Sequence, residues 1–274
     1  MGTLEGPDAA DVGSSESGSD AGGGAGSRSG SGAGRLYVGT SGFSYPRWTP
    51  TFYPTGTRGD ALLHTYAERL PAVELNNTFY QHPTAPKIDA WLAATPADFR
   101  FTVKAQKGGS LRAMRSDPAA TVPWLTAPYR WFAERLGSVL YRVPETIRRD
   151  DAALAAVLGA WPRSIALTME FQHPSWQDDT VHALLRDHGT VLCATDVEGD
   201  PFLPDLRLTG PFLYLRLRRE TYSAADLDAW AARLAPFLAD GRDAYAFFHH
   251  DETGESALQA IELERRVGSL LTTD

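Results

Sequence analysis

Short apolar runs alternate with segments of helical periodicity from Arg35 to the end of the chain. Each run holds five to seven residues, which is the common length of a β-strand. The eight runs are Leu36–Thr40, Ala72–Asn76, Phe99–Ala105, Val139–Val143, Ile165–Phe171, Val191–Asp196, Phe212–Leu217 and Ala244–His250.

Helical spacing of apolar residues marks most of the intervals between these runs. The predicted helices are Asp60–Leu70, Ala85–Ala94, Pro128–Leu136, Ala152–Leu158, Thr180–His188, Ala224–Leu238 and Ser256–Val267. After Val191–Asp196, Pro201 and Pro204 leave no clear helix before the next run.

Alternation of strands and helices is typical of parallel strands joined by right-handed crossovers. Eight such strands can close into a barrel, which removes the exposed edges of the sheet. We therefore predict one α/β domain over residues 35–274, an eight-stranded parallel β/α barrel of the triosephosphate-isomerase type. A doubly wound open sheet is the main alternative.

The first 34 residues differ in composition from the rest of the chain. They are mostly Gly, Ser, Ala and Asp, with almost no large apolar side chain. Burial cannot offset the entropy of ordering such a segment, so we predict a disordered tail.

Charged residues fall at the ends of several predicted strands and share the parity that points into the barrel. Side chains two apart lie on the same face of a strand, so apolar residues such as Val73 and Leu75 assign Glu74 to the other face. The same count places five charged side chains inward at strand ends, namely Glu74, Lys104, Arg142, Glu170 and Arg216. This convergence predicts a polar pocket at the C-terminal ends of the strands, where barrel enzymes carry their active sites.

Charge and cysteine content narrow the classes of function. The formal net charge is −8, and the excess of acidic residues before Gly34 leaves about half of it on the predicted domain. A mildly acidic domain argues against broad binding of nucleic acids, which depends on clustered Lys and Arg. The lone cysteine, Cys193, fits a reducing compartment, and no apolar run is long enough to cross a bilayer, so we expect a cytoplasmic location and no membrane partner.

A series of motifs, in chain order, resembles the YecE-like family, which contains domain of unknown function seventy-two. The matching segments are GTSGFSYPRW, FYP, VELNNTFY, FRFTVKA, LGSVLYRVPETI, MEFQHPSW, LYLRLRRETYS and AFFHHDETG, between Gly39 and Gly254. The resemblance covers the whole predicted domain and implies a barrel of the triosephosphate-isomerase type. It implies no particular reaction, because fold alone does not determine function.

The chain departs from the pattern of that family in three ways. Its members usually carry Gln at Arg142 and Arg at Gln172, which suggests that a positive charge has moved between adjacent strands. A Thr-His pair that commonly follows the lysine segment is replaced by Gly108, Gly109 and Ser110. The last strand ends in His-His-Asp, where asparagines are common.

Glu170, Glu74 and Lys104 are the candidate catalytic residues. Paired carboxylates suit proton transfer, and a lysine inside a barrel can bind an anion or act as a base or Schiff-base nucleophile. The alternative is structural: Glu–Arg and Glu–Lys pairs that hold the barrel mouth together. No metal or cofactor is predicted, because no tight ligand spacing such as HExxH occurs and the cations would repel a metal ion.

The candidate substrate-binding residues lie at strand ends and in the loops that follow them. Aromatic side chains on such loops suit a sugar or base, or they form a small core of their own, and Trp176 fits either role equally well. The set comprises Asn76, Arg142, Gln172, His173, Trp176, Arg216, Tyr45, Trp48, Tyr80, His249 and Asp251. The glycine-bearing segment Gln106–Ala120, with three cationic residues, is interpreted as a mobile lid.

These residues favour an enzyme, hydrolase-like or lyase-like, acting on a small anionic substrate such as a phosphorylated compound. Arg142, Arg216 and Lys104 would hold the anion while Glu170, helped by Glu74, moves protons. The alternatives are a nucleic-acid-binding barrel that recognises damaged or extruded bases and a non-catalytic small-molecule binder. The sequence leaves the oligomeric state open.

Overall fold

A computed structural model describes residues 32–200 and 203–272 of the chain. Most of the predicted tail, residues 1–31, lies outside the described residues. The strands are β1 (Leu36–Thr40), β2 (Ala72–Leu75), β3 (Arg100–Lys104), β4 (Leu136–Val143), β5 (Leu167–Phe171), β6 (Val191–Asp196), β7 (Phe212–Leu217) and β8 (Asp243–Phe248). The α-helices are α1 (Ala61–Ala67), α2 (Ala85–Ala93), α3 (Lys107–Arg115), α4 (Pro118–Thr126), α5 (Asp151–Ala160), α6 (Asp179–Asp187), α7 (Ala224–Ala239) and α8 (Glu255–Leu271).

The eight strands form one parallel sheet in the order β1-β8-β7-β6-β5-β4-β3-β2. The two ends of this sheet meet where Ser41 bridges to Glu74 and the Gly42 N–H donates to the Glu74 carbonyl oxygen at 2.8 Å. Gly39 permits this approach, because a Cβ there would lie 2.0 Å from the Ala72 carbonyl oxygen. The sheet is thus a nearly closed barrel, which confirms the predicted fold over the open sheet.

Side-chain alternation divides the buried apolar residues into two clusters. The larger cluster joins one face of the strands to the surrounding helices and includes Val73, Phe101 and Leu213 from the strands and Leu63 and Trp91 from the helices. The smaller cluster fills the barrel interior with the opposite parity and contains Tyr37, Leu140, Val191, Phe212, Tyr214, Tyr245 and Phe247. This period of two follows from strand geometry and confirms the inward face inferred from the sequence.

The predicted strands differ from the observed ones by at most three residues at either end. All but one of the predicted helices are α-helices in the structure, and the exception, Pro128–Leu136, corresponds to a 3-10 helix over Ala127–Arg135. The described residues between β6 and β7 contain no helix, as expected from the prolines. Within the described part of the chain, none of the helices is long and apolar enough to cross a membrane.

The segment Gln106–Ala120, interpreted from the sequence as a mobile lid, is helical: it contains α3 and the start of α4. The Gln106 side chain accepts a hydrogen bond from the Gly109 N–H at 2.7 Å, and Asp117 accepts one from the Ala120 N–H at 3.1 Å. Both contacts satisfy N–H groups that the first turn of a helix leaves without a partner. Ala113 and Met114 of α3 are buried, so the segment is packed in place.

Candidate functional site

A buried ion pair between Glu74 and Arg216 spans the interior of the barrel near the C-terminal ends of β2 and β7. Arg216 donates from Nε to Glu74 Oε2 at 3.1 Å and from Nη2 to Glu74 Oε1 at 3.0 Å. The Tyr214 hydroxyl donates to Glu74 Oε2 at 2.8 Å. Glu74 is 0% and Arg216 2% exposed, so this bidentate pair is removed from water.

Glu170, at the end of β5, accepts a hydrogen bond from the one guanidinium nitrogen of Arg216 that does not contact Glu74. Arg216 Nη1 donates to Glu170 Oε1 at 2.7 Å, and Thr195 Oγ1 donates to that oxygen at 3.2 Å. Arg142 Nε donates to the other carboxylate oxygen, Oε2. Arg216 therefore joins two carboxylates, and Glu170 joins two guanidinium groups.

The electrostatic balance of this network keeps both carboxylates ionised. Burial alone would raise the pKa of Glu74, but the charges of Arg216 and Lys104 outweigh it and lower this pKa to about 2. Burial opposes ionisation of Glu170 as well, and Arg216 and Arg142 lower its pKa. At neutral pH, Glu74 and Glu170 are therefore acceptors of hydrogen bonds and weak bases.

Lys104 reaches the same network from the end of β3. Its Nζ lies 3.1 Å from Glu74 Oε1 and donates to Asn76 Oδ1, while Asn76 Nδ2 donates to the Ser41 carbonyl oxygen at 2.7 Å. Burial lowers the pKa of Lys104, and although Glu74 raises it, the further repulsion by Arg216 and Arg142 brings the value to about 8. Lys104 is therefore mostly protonated at neutral pH but close to its titration point, as suits a proton donor.

Arg218 is a functional candidate that the sequence analysis missed. It is half-buried and lines a cavity of about 480 Å³ together with Glu170, Gln172 and Thr195. Its side chain makes no hydrogen bond or ion pair with any of the residues that the structure describes. By contrast, the neighbouring Arg219 is paired with Asp196 at 2.9 Å. Burial and repulsion by Arg216 lower the pKa of Arg218, so an anion at this position would relieve an unfavourable charge.

The signal for Arg218 was present in the sequence. Tyr214 and Arg216 point into the barrel, and the parity continues to Arg218, one residue past the end of β7. Its N–H still donates to the Asp196 carbonyl oxygen at 2.8 Å, which extends the ladder beyond the strand. The apolar run that marks this strand in the sequence ends at Leu217, so a count of inward residues along the run does not reach Arg218.

The histidines after β8 lie beside this cluster of cations. His249 is half-buried, and burial, His250 and Arg218 lower its pKa to about 4, so its imidazole is neutral at physiological pH. The ring of His250 stacks on Tyr45 with centroids 4.8 Å apart, and its Nδ1 lies 3.3 Å from Ser41 Oγ. The predicted binding residues Tyr45 and His249 thus border the mouth.

Trp48 and Trp176 have packing roles that the sequence could not distinguish from ligand binding. Trp48 is 0% and Trp176 1% exposed. Their indole N–H groups donate to the carbonyl oxygens of Asp251 and Ile147, each at 3.0 Å. Neither ring is open to the mouth, so the prediction that they contact a substrate does not fit this arrangement.

Asp251 and His173 are used to cap neighbouring helices. Asp251 accepts from the N–H groups of Gly254 and Ser256 at 2.7 and 3.0 Å, at the start of α8. His173 Nδ1 accepts from the Ser175 N–H at 3.0 Å. The structure therefore brings together Glu74, Asn76, Lys104, Arg142, Glu170 and Arg216, but it assigns these two side chains to local turns.

The described residues offer no set of ligands for a metal ion, because no three of their His, Cys, Asp or Glu side chains converge on a common point. The two central carboxylates are already occupied by cations. The cavity beside them is lined by one cation, Arg218, and by Glu170 and Glu145, and Glu170 is already bonded to Arg142 and Arg216.

Removing the charge of Glu170 tests whether that side chain holds the network together. In Glu170→Gln the buried Arg216 loses part of its compensation, and the free energy of unfolding should fall by about 3–5 kcal/mol. Denaturant unfolding measures the change, with Glu145→Gln as the control, because Glu145 lines the same cavity but is exposed. A loss in Glu170→Gln no larger than in the control would contradict a structural role and favour the catalytic interpretation.

The titration of Lys104 tests the electrostatics of the mouth directly. We expect its Cε resonance to titrate with a midpoint near pH 8, because burial and the neighbouring arginines disfavour the ammonium form. Carbon-detected NMR of lysine-labelled protein gives the midpoint, and Lys104→Arg identifies the resonance by its disappearance. A midpoint near the ordinary lysine value of 10.5 would contradict the account.

Comparisons with known proteins agree on one family. The profile of the family described as "Protein of unknown function DUF72" matches residues 37–273. The UPF0759 protein YunF of Bacillus subtilis is 33% identical over 155 residues, and the match spans 52% of each chain, about half the length of that relative.

A crystal structure of a DUF72 family protein from Thermotoga maritima superposes with a TM-score of 0.75 at 25% identity, covering 85% of this chain and 99% of that one. A DUF72 family protein from Enterococcus faecalis shares the fold, with a TM-score of 0.67 at 17% identity over 86% of this chain and 95% of that one. The chain belongs to the DUF72 family.

Proposed function

We propose that this protein is an enzyme that binds a small anionic substrate, such as a phosphorylated compound, at the C-terminal mouth of its barrel. The observation that carries the proposal is the half-buried guanidinium of Arg218, which lines the cavity and has no partner among the described residues. Glu170 and Glu74 attract this half-buried cation only from a distance, without a direct bond, and a substrate anion would supply the missing contact.

The charges around the cavity favour the same conclusion. Glu74, Glu170 and Glu145 carry three negative charges, whereas Lys104, Arg142, Arg216 and Arg218 carry four positive ones when Lys104 is protonated. The excess is one positive charge, and the two buried carboxylates, Glu74 and Glu170, are already paired with cations. An anion that enters the cavity meets oriented donors, the arrangement by which enzymes stabilise charge that develops during a reaction.

Arg216 and Arg142 have different roles in this proposal. Arg216 uses Nε, Nη1 and Nη2 on the two carboxylates, so it acts as a fixed bridge and not as the group that contacts the anion. Arg142 contacts Glu170 through Nε, and 21% of its side chain is exposed. Its terminal nitrogens are thus available, and Arg142 and Arg218 together form the anion clamp.

Lys104 is the group best placed to exchange a proton. With a pKa of about 8 it can donate a proton to a leaving group at neutral pH, as in a hydrolase-like or lyase-like reaction. Glu74 and Asn76 hold its Nζ by two contacts, and one of its three N–H donors remains for a ligand. Glu74 and Glu170 then act by positioning Lys104, Arg142 and Arg216.

Binding of inorganic phosphate to the purified protein tests the proposal. We expect Arg218→Gln to weaken binding at least about tenfold, equivalent to about 1.4 kcal/mol, because the unpaired guanidinium is lost. Isothermal titration calorimetry measures the affinity. Arg163→Gln is the matched control, since it removes the same charge from the exposed turn that precedes β5, at the opposite end of the barrel.

Two outcomes would contradict the proposal. Equal phosphate affinity in Arg218→Gln and Arg163→Gln would remove the anion site. Phosphate binding without turnover of any member of a panel of phosphate monoesters would contradict its enzymatic part and leave a non-catalytic binder.

A further inference from the structure

We propose that the anion site continues into an aromatic strip that accepts a planar base, so that the ligand is a mononucleotide. This inference rests on the proposed function, because the strip begins at one of the two arginines of the anion clamp. The aromatic strip is defined as Phe79, Tyr80, Gln106, Arg112 and Trp124.

The first part of the strip follows β2. Phe79 ends a 3-10 helix over Asn77–Phe79, and the Arg142 guanidinium carbon lies 5.9 Å from the centroid of its ring. The ring of Tyr80 lies 5.4 Å from that of Phe79, nearly perpendicular to it. Tyr80 is 76% exposed, so a large aromatic face is left uncovered, and Phe79 contacts both this ring and the Arg142 guanidinium that we assign to the anion.

The second part of the strip is a cavity of about 350 Å³ between α3 and α4. Gln106, Arg112 and Trp124 line it, and Trp124 is 53% exposed. Gly109 leaves the space for this indole, because a Cβ there would lie 2.7 Å from Trp124 Cζ3. Gln106 links this cavity to the first part, since it lines the cavity and its Nε2 donates to the Tyr80 carbonyl oxygen at 3.5 Å.

The chemistry of these side chains fits a nucleobase better than another planar group. Exposed Tyr and Trp rings stack on the faces of bases, and the Arg112 guanidinium can meet the polar edge, while the Gln106 amide is held by the start of α3 and the Tyr80 carbonyl oxygen. A phosphate on Arg142 and Arg218 fixes the other end of the ligand. The occupant is a single nucleotide and not a long strand, because a chain with a formal net charge of −8 disfavours the approach of a polyanion.

Binding of inorganic phosphate, ribose 5-phosphate and adenosine monophosphate separates the two parts of the site. We expect adenosine monophosphate to bind at least about tenfold more tightly than ribose 5-phosphate, because only the nucleotide carries a base to stack on the strip. Tyr80→Ala and Trp124→Ala should each reduce that advantage while phosphate affinity stays unchanged. Trp131→Ala is the control, because Trp131 is 51% exposed but lies outside the strip.

The outcomes distinguish failure of this inference from failure of the proposed function. If phosphate binds but adenosine monophosphate gains nothing over ribose 5-phosphate, the strip is not a base site and only this inference fails. If neither phosphate nor the nucleotide binds, the anion site itself is wrong. If a deoxyadenosine oligonucleotide binds more tightly than the mononucleotide, with steep salt dependence, the occupant is a strand and the mononucleotide assignment is overturned.

Discussion

The arrangement of the barrel mouth depends on a single buried guanidinium, that of Arg216, which is shared by Glu74 and Glu170. Transferring three charges from water into a protein interior is costly, and their attraction offsets that cost only when the geometry satisfies most donors and acceptors. Here the carboxylates come from β2 and β5 and the guanidinium from β7, so the network ties together strands far apart in the barrel. The ends of those strands, and the loops that follow them, are fixed by the same contacts.

This network also determines which cations remain for a ligand. Both carboxylates are ionised and bonded to Arg216. The positive charges of Lys104, Arg142 and Arg218 are therefore only partly neutralised. The pKa of Lys104 is lowered, and the Arg218 side chain has no hydrogen-bond or ion-pair partner among the described residues. The same interior charges keep His249 neutral. In the proposed function, these fixed charges would select an anion before any residue moves.

The sequence predicted the barrel and the inward charged residues because both follow from the period of two along a strand. That count needs no tertiary information, and it identified Glu74, Lys104, Arg142, Glu170 and Arg216 together. It could not predict which charges pair with each other, since pairing depends on distances across the barrel. Arg218 was missed because the ladder continues beyond the apolar run that marked the strand.

The loops were harder to predict for a different reason. A tryptophan in the position of Trp176 can pack in the core or stack on a ligand, and only its burial in the folded structure distinguishes the two roles. Asp251 resembles a site residue by its position after β8, but the start of α8 needs its carboxylate as a cap. In α3, two adjacent glycines obscured the helical pattern, and helix formation there depends on the Gln106 cap and on packing against the barrel.

A crystal structure of the protein soaked in phosphate shows whether Arg216 supports the anion site or is part of it. We expect the anion to contact Arg218 and the terminal nitrogens of Arg142, while Arg216 keeps its three hydrogen bonds to Glu74 and Glu170. An anion that displaces either carboxylate from Arg216 would contradict this expectation, because the buried network would then be the binding site and not its support. Phosphate bound only elsewhere would contradict it as well.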